Sequence, residues 1–350
     1  MSLMDRLKKT SRIEIANVLG DSEIFGERQN IPTEVPIINV ALSGSLRGGL
    51  TSGVTMIAGP SKHFKTGMAM LLIRAFLNAH PKDGAILFYD SEFGSPPAYF
   101  NSFGIDMTKV FHTPITNIEE LKHDIMVQLK EAKRHDPLMI IIDSIGQLAS
   151  IKEVEDAIEG KQVLDMTRAK AFKSLFRMIT PHLRIKDIPL VVVNHSYKTF
   201  EMYSKDIPGG GTGGYFAADT IWIVGRKQEK VKDELSGYEF ILNSEKSRYV
   251  KEKSKFPVSV SFDFGIDPYS GLLENALEAG FVTKPNDGWY LKKGDKTRLR
   301  AADTNNAEFW KDILADEEFN EFIKKKYEVA HGSILASTEP DDDEAADEGK

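Results

Sequence analysis

The run Gly59-Pro60-Ser61-Lys62-His63-Phe64-Lys65-Thr66-Gly67 follows the apolar stretch Val54 to Ala58 and opens a segment with Met70, Leu71 and Ile73 along one side. A strand, a tight loop and a helix beginning at Lys-Thr make the layout of a phosphate-binding loop. Backbone N–H groups and a helix N-terminus converge on an anion, a lysine adds a full charge, and a hydroxyl reaches Mg²⁺. One residue departs from the G-x-x-x-x-G-K-[ST] spelling, because Phe64 stands where the second glycine belongs. A phenylalanine there needs either a negative φ or something that offsets its strain.

Phosphate chemistry needs further groups, and strand ends supply a candidate for each. Met139 to Ile142 runs into Asp143, which places a carboxylate at the C-terminal edge of a strand, near the Mg²⁺. Phe88-Tyr89 is followed by Asp90, Ser91 and Glu92; Glu92 has the longer reach for orienting or deprotonating a water, and Asp90 competes for that role. Val191 to Val193 leads into Asn194 and His195, where a sensor of the terminal phosphate belongs. The stretch from Ser196 to Phe216 is long for a connection. It mixes Tyr197, Lys198, Phe200, Met202, Tyr203 and Lys205 with Gly209, Gly210, Gly211, Gly213 and Gly214. Aromatics that contact bases and cations that track phosphates suit a single nucleic-acid strand. A second polar connection, Ser150 to Asp165, leads into a helix whose Arg168, Lys170, Lys173 and Arg177 are spaced to share a face. Alone, those cations describe an ordinary solvated helix.

Holding these groups requires a sheet. Apolar runs at Val54–Ala58, Ala85–Tyr89, Leu138–Ile142 and Leu190–Val193 alternate with amphipathic segments at 117–134 and 163–183. Such alternation predicts an α/β fold, a mainly parallel twisted sheet flanked by helices. Thr220–Val224, Tyr238–Asn243 and Val258–Phe262 are closely spaced and predict an antiparallel extension. From residue 269 a smaller α/β unit is expected, with helices at Leu272–Ala279, Phe309–Leu314 and Phe319–Ala330 and a hairpin pairing Trp289–Leu291 with Thr297–Leu299. Residues 1–35 read as an arm with a helix over Arg6–Leu19, suited to packing on a neighbouring subunit. The ATPase core is expected over 36–268, the small unit over 269–332, and a disordered acidic tail over 333–350.

The 350 residues contain no cysteine, which excludes a disulfide framework or thiolate metal site and fits a reducing cytosol. No apolar run approaches membrane-spanning length, and the N-terminus lacks a signal-peptide core, so a cytoplasmic protein is expected. The net charge of −7 is concentrated in residues 339–350, which hold seven acids and one lysine. The remainder is nearly neutral, so the acidic total leaves room for a basic strip that binds DNA.

Taken together these residues resemble the RecA family of DNA recombinases, and within it the phage branch, whose loop also carries Phe in place of the second glycine. Other matching stretches are Leu87–Gly94, Asp165–Arg177, Gly209–Gly213, Glu245–Phe256 and Gly265–Leu273. The likeness runs from about residue 36 to residue 330. It implies ATP and Mg²⁺ as cofactors, with Ser61 to Thr66 on the phosphates, Lys65 on the β/γ oxygens, Thr66 and Asp143 at the metal, Glu92 as general base and Tyr99 stacked on adenine. Pro96 stands where the family has an aspartate that could read the base edge, and His195 replaces its sensor glutamine. Lys246 and Arg248 match paired cations inserted into the neighbouring subunit's ATP site. The DNA loops would be 150–165 and 196–214, with Lys170, Arg177, Lys198, Met202, Tyr203, Gly210 and Gly211 at the DNA. The acidic tail resembles the family's C-terminus and would compete with DNA for the basic surface.

The resemblance implies a DNA-dependent ATPase that forms a helical filament on single-stranded DNA, pairs it with homologous duplex and exchanges strands. Mediator and single-strand-binding proteins are the implied partners, in the host cytoplasm if the chain is phage-encoded. A RecA-fold ring helicase or translocase shares the nucleotide chemistry but closes into rings; the arm and the Lys246-Ser247-Arg248 pair favour an open filament. A nucleotide-regulated assembly protein without DNA chemistry would not need the aromatic and lysine residues at 197–205.

Overall fold

The computed structural model describes residues 1–25, 28–161, 167–198 and 206–329. Its strands are β1 (Gly53–Gly59), β2 (Ala85–Asp90), β3 (Val110–Pro114), β4 (Leu138–Asp143), β5 (Pro189–Lys198), β6 (Asp206–Pro208), β7 (Thr220–Val231), β8 (Glu234–Ser247), β9 (Lys255–Ser261), β10 (Gly265–Ile266), β11 (Val282–Asn286) and β12 (Trp289–Lys292). The main sheet runs in the order β10-β9-β8-β7-β1-β5-β4-β2-β3, with β6 paired to β5. From β3 to β7 the neighbours are parallel; β7 to β10 are antiparallel. The expected mixed sheet is therefore present. The edge strand β3 has little apolar signature, since Phe111 faces solvent, and its sequence gave no sign of it.

Alternate residues of the solid apolar strands supply two cores, one per face. Ile57, Ile86, Phe88, Ile141, Val193 and Trp222 point to one side; Val54, Met56, Leu87, Ile140, Val192 and Ile221 point to the other. Helices α2 (Pro36–Ser43) and α3 (Lys65–Ala79) cover the first face, and α5 (Ile118–Glu131) and α7 (Thr167–Lys186) cover the second. Between them lie α4 (Pro97–Ser102) and α6 (Ile151–Ile158). Each Ile or Val buried in this way stabilises the fold by about 1.5–3 kcal/mol relative to exposure, so the strand ends are fixed in place.

The C-terminal residues contain α9 (Leu272–Glu278), α10 (Ala307–Ala315) and α11 (Glu317–Tyr327), reached after the short α8 (Thr212–Ala217) of the core. Phe309, Trp310, Phe319 and Ile323 join the same apolar cluster as α2, α3 and β9. The expected hairpin is corrected: β12 takes β11 as its ladder partner, and Leu299 makes a single bridge to Tyr290. Pro285 within Val282–Asn286 had disguised β11 as a turn.

The arm helix is also corrected. Helix α1 spans Leu3–Thr10, started by a reciprocal Ser2–Asp5 capping box and ended by the extended Ser11. Leu3, Met4, Leu7, Ile13 and Ile15 are all more than half exposed. The tail at 333–350 lies outside the described residues. Among the described residues, no helix is long and apolar enough to cross a membrane.

Candidate nucleotide site and nucleic-acid interface

Strand β1 is wholly buried and delivers Gly59 to the C-terminal edge of the sheet. Residues Pro60 to Phe64 then turn back into α3. Lys62 and Phe64 both take left-handed backbone angles, φ +61° and +57°, which cost an L-residue roughly 1–2 kcal/mol each. The strain at Phe64 is offset by its ring, which stacks on Phe240 of β8 at 5.1 Å between centroids and meets Phe103 at 6.4 Å. A Cβ on Gly67 would stand 2.5 Å from that ring, so the glycine is required by close approach. Arg226 of β7 braces the loop from outside, its guanidinium donating to the Lys62 carbonyl at 3.1 Å while lying over Tyr238.

A 280 Å³ cavity opens above this loop, lined by Ser61 to Gly67, Glu92, Tyr99, Asp143 and His195 among others. Of the residues singled out from the sequence for nucleotide and metal contact, Ser61 to Gly67, Tyr99 and Asp143 line it, and Gly59 and Pro60 do not. Lys65 is 8 % exposed and donates from Nζ to the Pro60 carbonyl at 2.8 Å. Burial holds its pKa below the usual lysine range, with Glu92 and Asp143 pulling the other way. His63 contacts the Ser61 carbonyl through Nδ1 at 2.9 Å and lines the opening. Tyr99 sits on α4 edge-on to Phe103, its hydroxyl pushed up to about 12 by burial and by Asp143.

The Thr66 hydroxyl donates to Asp143 Oδ2 at 2.8 Å, while Asp143 Oδ1 is buried and has no partner among the described residues. Burial, with Glu92 and Asp90 nearby, raises the Asp143 carboxyl to about 6, against the Thr66 hydrogen bond and Lys65. A buried, electron-rich pair of oxygens with one orphan fits a hard divalent cation, which would also relieve the charge crowding.

The two carboxylates after β2 separate clearly. Asp90 is 3 % exposed and spent on structure: Oδ1 accepts the N–H groups of Glu92 and Phe93 at 3.0 and 2.7 Å, and Oδ2 meets His112 Nε2 at 3.2 Å. Glu92 faces the cavity. Its Oε1 accepts the Ser144 hydroxyl in a short bond and lies 3.1 Å from His195 Nε2. Gln147 Nε2 approaches the same histidine nitrogen at 3.3 Å. Ser144, Gln147, Arg226 and Phe240 escaped the sequence reading. Ser144 alone had a local signal, being polar and directly after Asp143.

Strand β5 continues past His195 through Lys198 and pairs with β6, Tyr197 opposite Ile207. The expected loop at 196–214 is therefore corrected to a hairpin stem followed by α8. Met202 and Tyr203 lie outside the described residues; Lys198 is exposed where the stem ends. Gly210 and Gly211 have φ of +84° and +77°, and a Cβ on Gly213 would stand 2.6 Å from the Lys173 Cα of α7. The glycines thus let this segment lie against α7. Lys170, Lys173 and Arg177 form an exposed face, but Arg168 does not share it: its guanidinium donates to the carbonyls of Leu148 and Gly146, both at 2.7 Å. The expected loop at 150–165 is corrected too. Ser150 caps α6, a full helix whose Ile151, Val154 and Ile158 face solvent and which carries three acids, Glu153, Glu155 and Asp156. Residues 162–165 lie outside the described residues.

Lys246 and Arg248 lie lower on the sheet than their own phosphate loop. Lys246 pairs with Ile221, which in turn neighbours Met56, three residues before Gly59. At ~3.3 Å per strand residue that is on the order of 10 Å below the loop. Lys246 Nζ donates to the carbonyls of Tyr215 and Phe216 at 2.8 and 3.2 Å. Arg248 Nε lies 2.6 Å from Asp219, which also accepts Arg184 and the Val54 N–H.

A family model described as RecA N-terminal domain matches residues 5–266, and one described as Bacteriophage T4, Recombination and repair protein, C-terminal domain, matches residues 269–323. The Recombination and repair protein of Enterobacteria phage T4 is 46% identical over 337 residues, covering 93% of this chain and 86% of its own length. Protein RecA of Thermus aquaticus is 25% identical over 298 residues, 83% of this chain and 84% of its own. Protein RecA of Treponema denticola is 25% identical over 285 residues, 79% and 66%.

Proposed function

The chain belongs to the RecA family, and from that premise we propose that it is a DNA-dependent ATPase and homologous recombinase, assembling on single-stranded DNA and exchanging it with a homologous duplex. The observation that carries the reading is strand β5. It carries His195 to the lining of the cavity above the phosphate loop and continues to the exposed Lys198, and both features support the reading.

In this reading Ser61 to Thr66 cradle the phosphates, and Lys65 turns from the Pro60 carbonyl to the β/γ oxygens. Thr66 and Asp143 would hold Mg²⁺, which when bound would neutralise charge on the phosphoryl group. Glu92, rather than the occupied Asp90, accepts a proton from the attacking water. His195 exchanges its Glu92 contact for one to the terminal phosphate, and β5 carries that movement to Lys198 and the stem. Tyr99 stacks on the base.

Lys246 and Arg248 lie too far down the sheet for their own site, and they complete the site of the next copy in a filament. The exposed apolar side of α1 then packs on a neighbouring copy, for which the 800 Å³ groove between α5 and α7, with Met126, Val127 and Met178, is suited. Single-stranded DNA follows Lys198, Gly210, Gly211 and the Lys170–Arg177 face. The acidic net charge of α6 argues against phosphate contact there, leaving the stem and α7 as the electrostatic track.

The deciding experiment pairs a labelled oligonucleotide with homologous duplex in the presence of ATP and Mg²⁺, with a heterologous duplex as control. Exchange that requires both homology and ATP is expected; unwinding that ignores homology would overturn the recombinase reading in favour of a helicase.

A further inference from the structure

Ser144, the first residue after β4, is 0 % exposed and lies outside the cavity lining, yet it touches the group on which hydrolysis is proposed to depend. Its hydroxyl donates to Glu92 Oε1. The rest of the residue is tied down. Its N–H donates to Ser91 Oγ at 3.1 Å, the Ser91 hydroxyl donates back to the Ser144 carbonyl at 2.6 Å, and the Ser91 N–H donates to the Asp143 carbonyl at 2.9 Å. Three bonds therefore lock the ends of β2 and β4 together, with the Ser144 hydroxyl as the one donor that projects from this junction to the carboxylate.

We propose that Ser144 is a positioning residue for ATP hydrolysis, anchoring Oε1 of Glu92 so that Oε2 is the oxygen presented to the attacking water. This rests on the reading of Glu92 as general base. The Glu92 side chain is 34% exposed and its long stem has room to swing toward solvent. The charged groups around it, Lys65 on α3, Asp143 on β4 and Asp90 on β2, pull or push without fixing a rotamer, and His195 on β5 meets it through one ring nitrogen. His195 cannot serve as a permanent anchor, because its own role takes it to the terminal phosphate. A buried hydroxyl on a strand junction can, since it has no water to compete for it and does not move during turnover. Misplacing a catalytic group by an ångström costs on the order of 100-fold in rate, which sets the scale of what the anchor protects.

The test measures ATP hydrolysis and fluorescent-nucleotide binding for Ser144→Ala, Ser144→Cys, Glu92→Gln and the Ser144→Ala/Glu92→Gln double variant of the full chain. Ser144→Ala should lower kcat roughly 10- to 100-fold while KM and nucleotide affinity stay as in the parent protein. Ser144→Cys, similar in size with a weaker donor, should fall between. In the Glu92→Gln background, removing the hydroxyl should cost no further rate under single-turnover conditions. The proposal is overturned if Ser144→Ala keeps its kcat, if it loses nucleotide affinity in parallel with rate, or if the loss is undiminished without Glu92. A Glu92→Gln protein that hydrolyses ATP at the parent rate would instead overturn the assignment of the base, a distinct outcome.

Discussion

The ring of Phe64 lies nearly flat on that of Phe240, with planes 16° apart, so the phosphate loop is clamped to β8 by a stack rather than freed by a glycine. Six residues further along the same strand comes Lys246. One strand therefore touches its own nucleotide site near its middle and ends in the cations proposed for the neighbouring site. A shift of the loop on nucleotide binding has a rigid path to those cations.

Replacing Phe64 by glycine removes the left-handed strain but also the stack, worth about 0.5–1.5 kcal/mol beyond its area, and loosens the unfolded and folded loop alike. ATP affinity should fall several-fold, with kcat at saturating ATP nearly unchanged. Phe240→Ala should weaken binding similarly, and the double variant should be no worse than the poorer single one, because both remove the same contact. Equilibrium titration with a fluorescent ATP analogue checks this; additive losses would show that the rings act separately.

Gly67→Ala follows from the same packing. Alanine is the better helix former by about 1 kcal/mol, yet its Cβ would stand 2.5 Å from the Phe64 ring. In the parent protein the change should lower the melting temperature and ATP affinity together. Combined with Phe64→Gly it should be neutral or stabilising. Thermal melts of the four proteins read the reversal of sign directly.

Much of the site was legible because its parts occupy strand ends, where an apolar run followed by a polar residue is visible without coordinates. Asp143, Glu92 and His195 were found that way, and they do meet in one cavity. The choice between Asp90 and Glu92 was not legible, since it depends on two backbone N–H groups and His112 occupying Asp90. Helical spacing alone puts Arg168 on the exposed face of α7, because it ignores carbonyls offered by another loop. Helix α6 was hidden by its charge, and β3 and β11 by short length and weak apolar content. The reason a phenylalanine is tolerated in the phosphate loop lay 176 positions away, in Phe240.

Lys65→Ala and Glu92→Gln should fail in different ways. Lys65 supplies charge at the phosphates, so its loss should weaken nucleotide binding and abolish measurable hydrolysis. Glu92→Gln keeps the volume and removes only the base, so binding should persist while turnover falls by about 10²–10⁴-fold. Parallel binding and single-turnover measurements separate the two; equal loss of nucleotide affinity in both variants would refute this division of labour.

Arg248 tests assembly. Its side chain is 61% exposed, and its partner Asp219 keeps Arg184 and the Val54 N–H when Arg248 is removed. Arg248→Ala should therefore cost the monomer about 1 kcal/mol or less, with an unchanged circular-dichroism spectrum. Charge reversal is the poorer probe, because a new carboxylate would face the buried Asp219 and disturb β1 and β7 locally. If Arg248 completes the neighbouring ATP site, the alanine variant should bind ATP as a monomer but lose most DNA-stimulated hydrolysis. Mixing it with Lys65→Ala should restore part of the activity, since a Lys65→Ala copy can lend its intact Arg248 to the sound phosphate loop of an Arg248→Ala copy. A mixture no more active than either variant alone would place Arg248 outside the shared site.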